Sequence, residues 1–462
     1  MTKIIEYSSK SHALWKSDID FTWRGDALYW NPTAIRTIDK LSAKCKKKIS
    51  DVAILRDTKA DPDFSDNYNL IELNDIENTS GLVKYRRVTG GSIKSKKVVI
   101  QRGDVLFGRL RFYLKNIGIS PVDGIGSTEI YPLKVIDDSI SKETLFAYLR
   151  SRVVSNILIL RSQGSNHPRI ASEDLKNLPF PELPEDICRN ITENVKRANE
   201  LWMEAEKEFL ETEKIFAAII GQNDYQYPNI YIKYKSEIDP IDRIDSEFWK
   251  GMNPFFKDSV PLKNVLEKAF TGRTPTWHEY SNHEGVRILK IRHLSNDGLS
   301  WSLRDRDYVN LKFYQANEDI KVRLDDILVA SAAHQKAYIG KDISIVDSIP
   351  SEIGVAIPSA KLNLLRTNRS KINPYVLLCL MQTKMFYNEI QRVVRGETAE
   401  LYPVDLLELP VPKKLLQINL PDGIQIEKTL ISSYEKKNKA QKIIKDAINV
   451  MDKELSWACV AH

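Results

Sequence analysis

The stretch Arg24-Gly-Asp-Ala-Leu-Tyr-Trp30 recurs later in the chain as Arg243-Ile-Asp-Ser-Glu-Phe-Trp249, an R-x-D-[AS]-x-[YF]-W pattern. Further matches keep the same order along both halves: Gly103-Asp-Val-Leu-Phe107 with Asp325-Asp-Ile-Leu-Val329, Ile117-Gly118 with Ile339-Gly340, and Asp174-Leu175-x-x-Leu178-Pro179-Phe-Pro181 with Asp405-Leu406-x-x-Leu409-Pro410-Val-Pro412. Because chance matches would not keep this order, the pattern indicates a tandem repeat of one domain. A chain of 462 residues is long enough for two such copies.

Each copy has the mixed pattern of an α/β domain. Short β-branched runs such as Val98-Val-Ile100 and Ile327-Leu-Val329 predict strands. Segments such as Lys142–Arg161 and Pro374–Val394 carry the apolar spacing of helices. The predicted fold class is therefore α+β, with two tandem globular α/β domains of roughly 170 to 180 residues each.

Each copy is followed by a long helix with an apolar seam. After the first copy, apolar or small residues recur in alternating steps of three and four, which is the spacing of a coiled coil. The predicted seam residues are Ile191, Val195, Ala198, Trp202, Ala205, Phe209 and Phe216 in the first helix and Ala440, Ile444, Ala447 and Met451 in the second. Since the two helices leave different copies of a repeat, we expect them to form an antiparallel coiled coil. The alternative is that each helix packs on its own domain.

These patterns divide the chain into five segments. They are a first domain at 1–184, a central helix at 185–220, a linker at 221–238, a second domain at 239–420 and a C-terminal helix at 421–462. A central helix of this length extends about 54 Å, which exceeds the roughly 34 Å of one turn of duplex DNA. We expect it to act as a spacer.

Cationic residues are concentrated in the first copy, although the net charge of the chain is only +6. Ten cations stand between Lys84 and Lys115, against the single anion Asp104. Such a cluster, with aromatic residues among its cations, suits contacts to the phosphates and bases of a nucleic acid. The predicted DNA contacts of the first copy are Arg56, Lys59, Arg86, Arg87, Lys94, Lys96, Lys97, Arg109, Arg111 and Lys115. The alternative is a solvated, lysine-rich hairpin.

The second copy has a milder balance of charge and one conspicuous loop. Thr271–His278 offers a cation, hydroxyl groups and an indole on a turn that glycine and proline would fix. The predicted DNA contacts of the second copy are Gly272, Arg273, Thr274, Trp277, Arg292, His293, His334 and Lys336. The alternative for the loop is an ordinary turn between strands.

Catalytic and cofactor motifs are incomplete, so we predict no catalytic residue, cofactor-binding residue or metal ligand. Asn253-Pro-Phe-Phe256 lacks the second proline of the loop with which adenine methyltransferases hold a flipped base. No loop of the G-x-x-x-x-G-K-[ST] type is present to bind ATP, and His278 and His283 lack the spacing of a zinc helix. Glu173-Asp174-x-Lys176 could serve a nuclease, but the second copy has leucine in place of the lysine.

Composition favours a cytoplasmic protein. No apolar run approaches the roughly 18 residues of a membrane span, and the first residues lack the apolar stretch of a secretory signal. The four cysteines lie far apart and form no C-x-x-C motif, so we expect reduced packing residues. We predict no membrane partner.

The order of these motifs resembles that of the DNA specificity subunit of type I restriction-modification systems. The resemblance rests on the two R-x-D boxes, on Gly272-x-Thr274-Pro275, on the G-D-V-L-F and D-D-I-L-V strands and on the D-L-x-x-L-P-x-P endings, and it covers nearly the whole chain. The first copy departs from the pattern because Arg56-Asp-Thr-Lys59 stands where G-x-T-P would be expected.

The resemblance implies a non-catalytic subunit whose two target-recognition domains each read half of a split, asymmetric DNA site. The helices would set the gap and dock two methyltransferase subunits, which bring S-adenosylmethionine, while restriction and translocase subunits bring ATP-driven cleavage. This chain would bind no cofactor itself. Three alternatives stay open: a DNA-targeting subunit of another phage-defence complex, an atypical DNA-modifying enzyme, and a coiled-coil scaffold that binds proteins.

Overall fold

The computed structural model describes residues 5–8, 11–13, 30–164, 166–221, 248, 253–281, 284–302, 307–396, 399–416 and 421–458. They form two compact units: unit 1 comprises Met1–Met203 with Lys437–His462, and unit 2 comprises Glu204–Lys436. Residues 24–29, 243–247 and 249 of the R-x-D boxes and residues 222–238 of the expected linker lie outside the described residues.

Unit 1 contains two main sheets and several helices. Its elements are β1 (Ile5–Ser8), β2 (Ser11–Ala13), α1 (Pro32–Lys44), β3 (Lys47–Lys48), α2 (Ile49–Val52), β4 (Ala53–Leu55), β5 (Lys59–Ala60), β6 (Asn67–Ile71), β7 (Arg86–Thr89), β8 (Lys97–Ile100), β9 (Val105–Gly108), β10 (Ile117–Ile119), β11 (Gly124–Ser127), β12 (Ile130–Val135), α3 (Lys142–Arg150), α4 (Arg152–Arg161), α5 (Ser172–Lys176), β13 (Pro179–Phe180) and the first part of α6 (Glu185–Ile220). The sheet orders are β10-β9-β12-β4 and β5-β8-β11-β6-β7.

Unit 2 repeats this plan. Its elements are β14 (Ser259–Pro261), β15 (Leu266–Thr271), β16 (Tyr280–Ser281), β17 (Val286–Leu289), β18 (Tyr308–Val309), α7 (Leu311–Gln315), β19 (Asp326–Ala330), β20 (Ala332–Ala333), β21 (Ile343–Ile345), β22 (Ala356–Pro358), β23 (Leu362–Thr367), α8 (Pro374–Met381), α9 (Lys384–Val393), β24 (Ala399–Glu400), α10 (Pro403–Leu407), β25 (Pro410–Pro412) and α11 (Pro421–Glu454), whose last part belongs to unit 1. The main sheet orders are β15-β23-β19-β21 and β16-β18-β17-β22.

The two units share their hydrogen-bond framework. β9 lies between β10 and β12 in unit 1, as β19 lies between β21 and β23 in unit 2. The second sheet of each unit contains one parallel pair among the described strands, β6 with β11 and β17 with β22. The predicted α+β class and tandem repeat are confirmed.

One of the sequence matches is wrong in detail. Ile117 pairs with Phe107, and the residue that pairs with the equivalent Val329 is Ile343 rather than Ile339. Ile339 instead ends a 3-10 turn that precedes β21. The reason is that the connection at 331–342 is four residues longer than its counterpart at 109–116, so a chance Ile-Gly pair fell at the expected spacing.

The most apolar helix, α8, is a core element. It begins at the N-cap Asn373, whose side chain accepts a hydrogen bond from the backbone N–H of Tyr375 at 2.9 Å. Most of its side chains are buried in the core of unit 2. Among the described residues, no helix is long and apolar enough to span a membrane.

The two long helices pack together through the predicted seam. In unit 1, the residues Ile191, Val195, Ala198, Trp202, Ala440, Ile444, Ala447 and Met451 are buried in one cluster. The same cluster contains core residues of the domain, such as Leu145 and Phe180. The helices therefore bury their seam on each other and on the adjoining domain, so the two packing modes are not exclusive.

The contacts in unit 2 show that the helices are antiparallel. The carbonyl oxygen of Ala205, which is fully buried, accepts a hydrogen bond from Ser433 Oγ at 2.8 Å. Further along α6, the carbonyl oxygen of Ile220 accepts one at 3.0 Å from Lys414, which precedes α11. Residues later in α6 therefore contact residues with lower numbers in the partner segment, as antiparallel helices do. Phe216 is buried in this seam and Phe209 is partly buried.

Candidate nucleic-acid interface

The predicted cations of the first copy are only partly brought together. Arg86 and Arg87 lie on the edge strand β7, and Lys94 and Lys96 lie just before β8. All four are exposed, as is Lys59, but Lys59 lies on β5 at the opposite edge of the same sheet. The exposed cations therefore follow both edges of this sheet.

Two other predicted contacts have partners inside the framework. Arg56 Nε lies 3.0 and 2.9 Å from the carboxylate oxygens of Asp104, which is buried. Lys97 is 6% exposed, and its ammonium group binds Glu72 and Ser95. Because the Lys97 side chain points into the domain, its prediction as a DNA contact is corrected to a structural role.

Arg109 and Arg111 lie at a junction between two loops of unit 1, residues 109–116 and residues 163–164 with 166–170, which we call the two-loop junction. The backbone N–H of Arg111 donates to the carbonyl of Pro168 at 2.7 Å, and Leu110 forms a β-bridge with Arg169. Arg111 Nη2 also lies 3.1 Å from His167 Nδ1. Arg111 is exposed, whereas Arg109 is half-buried.

The junction contains an ion pair that the sequence did not reveal. Arg169 binds the carboxylate of Glu129 through two donors on one edge of its guanidinium group, at Nε–Oε1 3.0 Å and Nη2–Oε1 2.7 Å. These hydrogen bonds raise the pKa of Arg169. The other carboxylate oxygen of Glu129 lies 3.6 Å from Arg109 Nε. The Arg109 guanidinium lies 5.1 Å from the centre of the Tyr131 ring.

The backbone of the loop at residues 109–116 is strained, and the side chain of Arg150 binds one of its carbonyl groups. Arg111 and Lys115, at either end of a 3-10 turn, have φ values of 49° and 55°, in the left-handed region. Arg150, which is buried, donates from Nη1 to the carbonyls of Lys115 at 2.7 Å and Ile117 at 3.0 Å. Desolvation lowers the pKa of the half-buried Lys115, and the Arg150 charge adds to this effect. Strain of this kind persists only where the surroundings impose it.

In unit 2, the predicted loop is tightly packed where it begins. A side chain at Gly272 would collide with the backbone, since its Cβ would lie 2.2 Å from the carbonyl oxygen of Pro358. Beyond it, Arg273 and Thr274 are exposed. Trp277 is 77% exposed, and its ring lies against that of His278. The loop therefore presents a cation and an indole to solvent.

His293 is corrected from a DNA contact to a core residue. It is fully buried, and its Nδ1 accepts a hydrogen bond at 2.8 Å from the backbone N–H of Lys290. Burial lowers the pKa of His293 to about 3, with further lowering by Arg292, Arg287 and Lys290. A neutral, buried imidazole cannot reach DNA. The neighbouring Arg292 is exposed, and its guanidinium group forms an ion pair with the carboxylate of Asp307, which is buried.

The buried histidine predicts a pH-dependent stability. The unfolded chain takes up a proton near pH 6.5, whereas folded His293 takes it up only near pH 3, so its contribution is complete above pH 6.5 and is lost as the pH falls. We expect wild type to lose about 2 kcal/mol more than His293→Gln between pH 7.5 and pH 5, in urea unfolding. His334→Gln, at an exposed position, should keep the wild-type dependence. Equal slopes for wild type and His293→Gln would contradict the buried, neutral state.

The last two predicted residues, His334 and Lys336, lie on the longer connection after β19. His334 is exposed and Lys336 is partly buried, and the carbonyl of Lys336 accepts a hydrogen bond from Gln391 Nε2 at 3.1 Å. Within this connection β20 pairs with β24, as Leu110 pairs with Arg169 at the two-loop junction of unit 1. The structure therefore places these residues on the connection of unit 2 that corresponds to residues 109–116 of unit 1, beyond Ser331, which matches Arg109.

Among the described residues, those that came nearest to catalytic motifs make ordinary structural contacts. Glu173 and Lys176 form an exposed ion pair at 3.0 Å on α5, and Asn253 caps a 3-10 turn whose Phe256 is in the core. His283 lies outside the described residues. No group of three or more His, Cys, Asp or Glu side chains in the described ranges could hold a metal ion.

Comparison with known proteins finds a specificity subunit that is similar to part of this chain. A segment of 123 residues is 26% identical to the type I restriction enzyme EcoDI specificity subunit of Escherichia coli. The chain resembles type I specificity subunits. The match covers 26% of this chain and spans only 27% of the length of that relative. No family model matches the chain.

Solved structures of type I systems were also found. The HsdS subunit from Thermoanaerobacter tengcongensis is 16% identical, with 89% of this chain and 95% of that chain covered and a TM-score of 0.31. The S subunit from M. genitalium is 11% identical, with 90% and 96% covered and a TM-score of 0.45. A chain from a structure of type I R-M complex assembly is 18% identical, with 87% and 96% covered and a TM-score of 0.30.

Proposed function

We propose that this chain is a DNA specificity subunit that reads a bipartite, asymmetric site and positions methyltransferase and restriction or translocase subunits on it. The observation that carries the proposal is the repeated framework with different loops: unit 1 carries a cationic sheet and the two-loop junction, and unit 2 carries the Gly272–His278 loop. A shared framework with different loops suits the reading of two different half-sites.

The paired helices support the second part of the proposal. Each unit contains part of both helices, which would suit the docking of two copies of one partner. On this view the chain is not an enzyme and binds no cofactor. S-adenosylmethionine and ATP would bind to the partner subunits, in the cytoplasm where the DNA lies.

Selection from a random-sequence duplex library tests the proposal directly. We expect the full chain, alone or with its modification subunits, to select two short sequences at a fixed spacing, with affinity falling steeply as salt rises. Binding without any selected sequence would contradict it, and so would cofactor-dependent modification of DNA by the purified chain alone.

The exposed cations of unit 1 give a quantitative prediction. Replacing Arg86, Arg87 and Lys94 by glutamine should reduce the slope of log affinity against log salt by about 0.9 for each phosphate that the variant no longer neutralises. The matched control replaces Lys196 and Lys207, exposed on α6, by glutamine and should leave the slope unchanged. Equal slopes for both variants would show that this surface does not bind DNA.

A further inference from the structure

We propose that Arg109 reads the edge of a guanine base and that Glu129 is a positioning residue, fixed by Arg169, which aims the Arg109 guanidinium group. The inference rests on the proposed function and deepens it, because it names one base class and the residues that select it. The juxtaposition of Arg109, Glu129, Tyr131 and Arg169 at the two-loop junction carries it.

Arg109 is held along most of its length. Its backbone N–H donates to the carbonyl of Glu129 at 2.9 Å, and its own carbonyl accepts from the N–H of Ile170 at 3.0 Å. Its guanidinium lies over the Tyr131 ring. A guanidinium held in this way loses little conformational entropy when it forms two parallel hydrogen bonds.

The ion pair occupies Arg169 and leaves Arg109 able to bind a ligand with its fork. Arg169 donates hydrogen bonds from Nε and Nη2 to the carboxylate of Glu129. Arg109 Nε, by contrast, is buried 3.6 Å from Glu129 Oε2, which leaves Nη1 and Nη2 as the pair that can face a ligand, and 32% of the side chain is exposed. Two N–H groups in a fixed fork match the O6 and N7 acceptors of guanine in the major groove.

Unit 2 lacks this arrangement at the equivalent positions. The backbone hydrogen bond from Arg109 to Glu129 corresponds to the one from Ser331 to Lys361, also at 2.9 Å. The strand registers place Asn363 where unit 1 has Tyr131, and Glu400 where unit 1 has Arg169. A guanine preference that depends on such an arginine should therefore appear in only one half-site.

Arg109→Lys separates base reading from phosphate contact, because lysine keeps the charge and loses the fork. Starting from the bipartite site selected by the wild-type full chain, we expect a loss of about tenfold or more in discrimination for guanine at one position, with the salt slope unchanged. Arg189→Lys, on the exposed face of α6, is the matched control and should keep the wild-type base profile. An unchanged base profile in Arg109→Lys, or a uniform loss over all sequences with a lower salt slope, would overturn the inference.

Glu129→Gln tests the positioning role. It removes one negative charge beside two arginines, so affinity for random duplex should stay or rise, while discrimination at the same guanine should fall about as far as in Arg109→Lys. The thermal midpoint is measured in parallel, because a purely structural role would lower it and leave discrimination intact. That result would refute the role of Glu129. If the wild-type chain selects no sequence at all, the proposed function fails first; if it selects one and both variants match it, only this inference fails.

Discussion

Trp202→Ala is expected to lower the free energy of unfolding by about 3 to 5 kcal/mol, because it removes a large aromatic side chain from a packed core. Trp202 is 3% exposed in the cluster that joins α6, α11 and the core of unit 1. The ammonium groups of Lys437 and Lys84 lie 5.4 and 5.9 Å from the ring centre. The substitution therefore removes buried area and two cation–π interactions together.

Urea unfolding followed by far-UV circular dichroism measures this loss. Met203→Ala is the matched control, since Met203 is the next residue of the same helix and is 37% exposed. We expect it to cost less than about 1 kcal/mol. Similar losses for the two variants would mean that Trp202 does not pack in the seam.

Arg150→Ala is expected to cost about 4 kcal/mol or more, because it strips the donors from four carbonyl groups. Besides Lys115 and Ile117, the Arg150 guanidinium donates from Nη2 to Asn78 at 2.8 Å and to Thr79 at 2.7 Å. Desolvation lowers the pKa of Arg150 to about 10, so it remains charged at neutral pH. Arg150→Lys should restore only part of the loss, because one ammonium group cannot reach four carbonyls.

The same substitution should also weaken the candidate interface. Arg150 supports the left-handed Lys115 and hence the loop that carries Arg109 and Arg111. Arg152→Ala is the control, at a position where the side chain is 76% exposed. We expect Arg150→Ala, and not Arg152→Ala, to unfold at lower urea and to bind DNA less selectively. Wild-type stability in Arg150→Ala would exclude its bracing role.

Features that recur along the chain could be predicted from the sequence. The seam of α6 was predictable because apolar residues spaced alternately three and four apart in a long helix indicate a buried seam, and Ala198 and Trp202 are buried accordingly. The repeated strands were predictable because β9 and β19 keep their apolar residues in the same order. Both patterns are local in the sequence, and both consist of apolar residues that are buried in the fold.

Side-chain direction within the cationic segment could not be predicted. Lys96 and Lys97 are neighbours in sequence, yet the first is exposed just before β8 and the second is buried at the start of that strand. Arg292 and His293 are likewise neighbours, in a 3-10 turn, and the first is exposed while the second is buried. The pairing of Glu129 with Arg169 joins residues 40 positions apart, and no periodic pattern marks such a contact.

The chain order of unit 1 has a consequence for its synthesis. Its core includes Ala440, Ile444 and Ala447, which a ribosome makes only after the whole of unit 2. Unit 2 is one uninterrupted stretch, so it can close as soon as it has emerged. Unit 1, whose first part is translated before unit 2, can therefore complete its core only after unit 2 has been synthesised.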